Sequence, residues 1–202
     1  LYQFYKHDFS ENKKLERVRD FFVFGTVTAQ RWSDLIRFEK SQIDFHDNCW
    51  DFTSYKVEKP IKVYLDGFFE LAHEILIKYD YSLPVITSQK FNKYLKEAGE
   101  EAGLKREVIL KRRVGKQRIV EFKQPLHKYM SSHMARKSGV SIMLNDLEMS
   151  IHEVREITGH SDLKTLDLYL NDDKKALRRS MQKTMKITDI PFIQNQSKSN
   201  AG

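Results

Sequence analysis

The apolar periodicity of this chain switches from helical to alternating and back, then alternates once more before a final helical region, and this succession narrows the fold more than any other feature. Across residues 13–27, Leu15, Val18, Phe21, Phe22 and Phe24 recur at helical spacing, and residues 31–38 read as a second, short helix. Residues 42–65 alternate in patches, "QIDFHD", "WDFTSYK" and "PIKVYL", with Asp47 and Asn48 as turn residues, the pattern of a small antiparallel sheet. Helical spacing returns over 67–79 and 88–102, with Pro84 between the two segments. The run "EVILKRRVGKQRIVEF" then gives two β-rich stretches around Val114 and Gly115, a second β-hairpin. Beyond it the chain is helical again. Ser150 and Glu153 form a capping box for a helix through Ile157 that Gly159 is placed to end, and further helices follow over 162–170 and 173–185. The fold class expected is α+β, mainly α-helical, in one domain over residues 1–186. Residues 187–202 form a C-terminal tail whose end, "QNQSKSNAG", has the composition of a disordered segment.

With 202 residues the chain can bury one sizeable core but not two full domains. It opens at Leu1 without a methionine, in what reads as mid-helix, and is expected to be a fragment of something longer. Cys49 is the single cysteine, so no intrachain disulfide can form, and no apolar run reaches the roughly 18 residues of a membrane span. A soluble protein of the cytoplasm is expected.

The formal charge is +7, with a pI near 9.3, and it is unevenly placed. Residues 104–137 hold eleven Lys or Arg against two acids, so this stretch is more basic than the chain as a whole. Such an asymmetry favours a directed surface for a polyanion over a uniformly solvated one. The second hairpin would carry Lys111, Arg112, Arg113 and Lys116 outward on that surface.

Several polar residues have bland readings when taken singly. His133 and Arg136 are i, i+3 neighbours on one helix face, Arg31 could be an exposed charge beside Asp34, His160 a loop histidine, Lys56 a turn lysine and Tyr169 a core-edge tyrosine. Together they are the residue types required for displacement at a phosphodiester without metal. Two arginines grip the nonbridging oxygens and neutralise a five-coordinate transition state. A histidine accepts the nucleophile's proton, a lysine protonates the departing alkoxide, and a tyrosine forms the covalent link. No phosphate-binding glycine loop of the nucleotide-hydrolysing kind occurs, and Glu70 with His73 is an isolated Glu-x-x-His that makes no metal site.

The blocks "TAQRWSDL", "SHMARKSGVSIML" and "TGHSDLKTLDLYL" resemble, in order and spacing, the signatures of tyrosine recombinases, the phage-integrase family, in the style found on mobile elements of Bacteroidetes. The resemblance implies an integrase catalytic-domain fold and a DNA strand transferase that needs no cofactor. Arg31 would be the first arginine of the catalytic set, Lys56 the general acid, His133 and Arg136 the middle pair with His133 accepting the proton of Tyr169, and His160 a phosphate contact. Tyr169 would form a 3'-phosphotyrosyl bond. Ala29 stands where the family commonly has glycine, Asp34 where it has glutamate, and Lys59 could serve in place of Lys56. Implied partners are double-stranded DNA, a homo-tetramer on two duplexes, and N-terminal DNA-binding domains expected to be missing from this stretch of sequence. Residues 187–193 would be exchanged between protomers or pack on their own core. The resemblance places such a protein on the bacterial nucleoid. A type IB topoisomerase or telomere resolvase would use a similar set of residues, a DNA-binding accessory protein would carry it unused, and an RNA-binding module lacks its usual signatures here.

Overall fold

The computed structural model describes residues 1–83, 86–114 and 118–170, of which 111–114 and 118–120 are described by their main chain alone. Helix α1 (Tyr2–Lys6) leads into α2 (Lys13–Val27), the central helix. The Asn12 side chain accepts from the Leu15 amide to start α2, and every residue from Asp20 to Val27 is buried, so this half of the helix is surrounded rather than amphipathic. Asp20 is the one charge there. It accepts from Arg19, Lys78 and Tyr79 at 2.6 to 2.7 Å, which satisfies a buried carboxylate and ties α2 to α4 (Glu70–Lys78).

The short helix α3 (Trp32–Leu35) follows, and a three-stranded antiparallel sheet packs beyond it, ordered β1 (Ile43–Asp44), β2 (Cys49–Thr53), β3 (Pro60–Tyr64). The register pairs Trp50 with Val63 and Phe52 with Ile61, putting these four side chains on the buried face, where Trp50 also meets Phe24 and Phe38. A 3₁₀ turn over Gly67–Phe69 precedes α4, and α5 (Ser88–Glu101) starts at a Thr87 cap. Strands β4 (Glu107–Val114) and β5 (Arg118–Pro125) pair antiparallel from Glu107 with Pro125 to Val114 with Arg118. The chain then runs through α6 (Leu126–Tyr129), α7 (Ser132–Asn145), α8 (Ile151–Thr158) and α9 (Leu163–Asp167).

The expected α+β architecture, mainly helical with a small sheet and a second hairpin, is the one observed. Three helices are shorter than their patterns. The segment 31–38 is helical only over Trp32–Leu35, because Arg31 is extended at the cap and the chain leaves the helix at Ile36 for Phe38 to join Trp50. The segment 162–170 is helical over Leu163–Asp167 with Asp162 as its cap, and 67–79 begins as a 3₁₀ turn. The expected helix over 173–185, the 187–193 segment, the boundary at 186 and the tail lie outside the described residues. Among the described residues no helix is long and apolar enough to cross a membrane.

Two close approaches set the geometry around the site. Helix α7 crosses the end of α2 at Gly139, where an added Cβ would lie 2.0 Å from the Thr26 carbonyl oxygen and 3.0 Å from the Ala29 Cβ. Only hydrogen fits there. Ala29 itself sits at φ +51°, the left-handed region that suits glycine, so the family's usual residue at this position has a backbone reason.

Candidate active site

Each site residue is delivered by a different local device. The α8 capping box, with Ser150 accepting from the Glu153 amide and Glu153 accepting back, starts a helix that ends at Gly159 in the left-handed conformation, φ +63°. That ending exposes the last carbonyls of α8, which have no acceptor role left within the helix. They are caught in succession. Gln30 Nε2 donates to the Ile157 carbonyl at 2.8 Å, Arg136 Nη2 to the Thr158 carbonyl at 2.9 Å, and Arg31 Nη2 to the Gly159 carbonyl at 2.9 Å. Arg136 Nη1 also donates to the Ala29 carbonyl at 2.8 Å, and Arg31 Nη1 to the Thr158 carbonyl at 3.3 Å. The negative end of the α8 dipole suits both guanidiniums.

Asp34 organises the other wall. Its carboxylate accepts from the Ser54 hydroxyl at 3.1 Å and the Tyr55 amide at 2.8 Å, pinning the turn between β2 and β3 to α3. That turn, closed by Ser54 donating to the Lys59 carbonyl, carries Lys56. On the opposite side Ser131 caps α7 by accepting from the Met134 amide, which sets Ser132 and His133 in its first turn.

The result is a cavity of about 290 Å³ lined by Arg31, Trp32, Lys56, Ser132, His133, Arg136 and His160. Five of the six residues singled out in the sequence therefore meet at one place. Tyr169 does not line the cavity. It packs against the cluster of Val140, Met143, Leu144 and Leu166, and its carbonyl accepts from Asn145 Nδ2 at 2.8 Å. Its phenol is near enough to act electrostatically on Arg136. Lys59 contributes its carbonyl to the turn and is not among the lining residues. The side chains of Lys111, Arg112 and Arg113 lie outside the described residues, as does Lys116; the main chain of 111–113 belongs to strand β4 of the second hairpin. Sequence reasoning missed Trp32, Ser132, Ser54, Gln30 and Thr158. Trp32 and Ser132 adjoin recognised residues in the chain, whereas nothing in one dimension links Ser54 to Arg31.

Charge sets this cavity apart. Arg136 is 6% exposed, and all its hydrogen bonds among the described residues go to neutral acceptors. Burial first, and Arg31 second, bring its pKa down to about 9. Burial also lowers that of Arg31, against which Asp34 works. Burial and the two arginines push His160 down to about 4, and His133 at the rim is lowered by desolvation, Lys137 and Arg136. Both imidazoles are thus neutral near pH 7. Such a site is short of negative charge. Among the described residues no three His, Cys, Asp or Glu converge to hold a metal ion.

The His160 shift carries a stability consequence. A folded-state pKa below the ordinary value of about 6.5 means that the native state binds fewer protons than the unfolded one. The contribution is present above that value and is lost as pH falls from about 6.5 toward the folded value of about 4. The urea midpoint is expected to drop across this window, and to drop less in His160→Gln; equal drops in both proteins would refute the assignment.

Residues 2–176 match the model of the phage integrase family. The chain belongs to the phage integrase family. Among solved structures, this integrase-family chain is similar to the XerH site-specific recombinase bound to its difH substrate, at TM-score 0.55 and 18% identity over 90% of this chain and 50% of that one. It is similar to a lambda integrase (75-356) dimer bound to a COC' core site, at TM-score 0.58 and 14% identity over 94% and 60%. The Tn1549 transposon integrase in complex with a circular intermediate DNA aligns at TM-score 0.55 and 14% identity, over 90% of this chain and 62% of that one. These likenesses establish the fold; the chain spans about half the length of XerH. No curated protein sequence matches it significantly.

Proposed function

We propose that this chain is the catalytic part of a site-specific DNA recombinase that cuts and rejoins strands through a 3'-phosphotyrosyl intermediate. The observation that carries this reading is the pair of guanidiniums, Arg136 buried and Arg31 half-buried, both held by main-chain carbonyls instead of carboxylates, at one cavity with two neutral histidines and a lysine. A phosphodiester supplies the missing negative charge. Arg31 and Arg136 would hold its nonbridging oxygens, and their charge builds into the transition state an attraction worth on the order of 10² or more in rate.

In the reaction, the Tyr169 oxygen forms a bond to phosphorus as the bond from phosphorus to the 5' oxygen breaks. Neutral His133 takes the phenolic proton, and Lys56 gives a proton to the departing 5' oxygen. One ester replaces another, so no nucleotide is consumed. The place of Lys56 on the cavity supports it over Lys59 as the acid. A duplex partner, tetramer assembly, cytoplasmic work on the nucleoid, and service to a mobile element of the Bacteroidetes type complete the proposal. The Tn1549 transposon likeness supports a mobile element, and the signature blocks support the Bacteroidetes type.

The test is covalent trapping on a duplex nicked just 3' of the target phosphate, from which the short fragment bearing the new 5' hydroxyl diffuses away. An adduct mapped by peptide sequencing to Tyr169 is expected. Binding of the duplex with no adduct would leave a DNA-binding accessory protein instead. Relaxation of supercoiled plasmid without recombination between two sites would favour a topoisomerase.

A further inference from the structure

Beside His160, Thr158 Oγ1 makes two short contacts. One, at 2.5 Å, is with the Val154 carbonyl a helical turn back, and the other, at 2.6 Å, is with Nδ1 of His160. Thr158 is fully buried, so bulk water does not relay either contact. A hydroxyl has one proton to give. The carbonyl can only accept, so that proton lies between Oγ1 and the Val154 oxygen; otherwise lone pairs would face each other at hydrogen-bond distance. Oγ1 is then an acceptor toward Nδ1, and the second contact is attractive only when Nδ1 carries a proton. A directed chain results, from Nδ1–H to Oγ1–H to the carbonyl.

Arg136 does not compete for the other ring nitrogen. Its Nη2 is 3.3 Å from Nδ1 and 3.2 Å from Nε2. Near-equal distances to both nitrogens of a five-membered ring put Nη2 over the ring face, because in the plane it would collide with Cε1. Nε2 therefore remains for the cavity that His160 lines.

We propose that Thr158 is a positioning residue that holds neutral His160 as the Nδ1–H tautomer, so that Nε2 takes up a proton as a phosphate docks. The proposal rests on reading the cavity as a DNA phosphate site. In the neutral ring Nε2 can only accept, and so can a phosphate oxygen. A solvent proton must bind the Nε2 lone pair before that nitrogen can donate to the anion. In the empty site uptake is resisted by burial and by the cations facing the ring. Arg136 from α7 and Arg31 at the start of α3 are the nearest, His133 and Lys56 share the cavity, and Arg155 on α8 donates to the His160 carbonyl. Asp34 is the carboxylate that acts on the two arginines. An anion seated among these cations reverses the balance, and DNA affinity becomes linked to proton binding.

Nitrogen NMR of histidine-labelled full chain reads the tautomer directly, with His160 assigned by its loss in His160→Gln. The Nδ1–H form is expected in the free wild type, a shift toward Nε2–H in Thr158→Val, and the wild-type form again in Thr158→Ser. An Nε2–H ring in the wild type overturns the proposal whether or not the protein cuts DNA. The second measurement is calorimetric binding to a non-cleavable nicked duplex in buffers of different ionisation enthalpy. Uptake of about one proton is expected for wild type, with affinity rising by up to about tenfold per unit fall in pH, and a weaker dependence in Thr158→Val. Equal proton uptake in both proteins overturns the role of Thr158. Absence of duplex binding by a wild type with the Nδ1–H ring would instead strike the DNA reading, and the coupling with it, leaving the tautomer as a property of the fold.

Discussion

Tyr169→Phe is expected to abolish the covalent adduct on a nicked duplex while leaving the fold and duplex affinity within about 0.5 kcal/mol of wild type. The substitution removes a single oxygen. The ring, which packs against Val140, Met143, Leu144 and Leu166, keeps its apolar contacts, and the carbonyl that accepts from Asn145 belongs to the main chain. What disappears is the only phenol in the signature blocks, and with it the atom that would join phosphorus. Ser132 is the one aliphatic hydroxyl among the residues that line the cavity. An adduct that persists in Tyr169→Phe and vanishes in Ser132→Ala would move the nucleophile to that residue. Gel shift, circular dichroism and trapping on the same preparation separate the outcomes.

Gly139→Ala is expected to destabilise the fold by about 3 kcal/mol, the upper end of the usual cost of forcing atoms into a packed interior. For a chain of this size that lowers the melting temperature by roughly 6 to 12 °C. The new Cβ would meet the Thr26 carbonyl oxygen at 2.0 Å, and a backbone oxygen at a helix end cannot swing aside as a side chain can. Helix α7 must shift away from α2, and the displacement reaches the chemistry. Ala29, the other group Gly139 approaches, supplies the carbonyl that holds Arg136. Adduct formation is therefore expected to slow by as much as about 10²-fold even at temperatures where the variant is folded, since small misplacements of a positioned group cost that much. Thermal melts and single-turnover trapping below the lowered melting temperature check both parts. A variant of wild-type stability would mean that the two helices have room to separate there.

Much of the fold was legible because burial imposes periodicity. Phe21, Phe22 and Phe24 announced a helix, Trp50 and Phe52 alternated as a strand requires, and the Ser150 box with Gly159 bounded α8 to within a residue. The short helices were overextended because their apolar residues continue past the helix end to serve other partners, as Phe38 serves Trp50. Within the site, residue types and spacing pointed to Arg31, Lys56, His133, Arg136 and His160, which share a cavity. The supporting contacts were not legible. Sequence proximity pairs Asp34 with Arg31, yet the hydrogen bonds of Asp34 go to Ser54 and Tyr55, a contact across the sheet turn that no local pattern encodes. Thr158 lies two residues before His160, so proximity could have suggested it, but which proton it shares depends on where the Val154 carbonyl points. Tyr169, two residues past the end of α9 at Asp167, packs on the Leu166 cluster instead of lining the cavity, a tertiary placement that spacing does not encode.

The anchoring of Arg31 and Arg136 to carbonyls of Ala29, Thr158 and Gly159 has an implication for how this site tolerates sequence drift. A carbonyl oxygen is common to every residue type, so an exchange keeps the two cations oriented only where the new side chain tolerates the same path, a choice narrowed by Ala29 at φ +51° and by Gly159 at φ +63°, where an added Cβ would lie 2.7 Å from Ile61 Cδ1. Residues around the site can then vary without disturbing how the two guanidiniums are held. What cannot readily vary is the route of the polypeptide through the end of α8 and the bend at Ala29, which makes insertions or deletions there far more damaging than exchanges of one side chain for another.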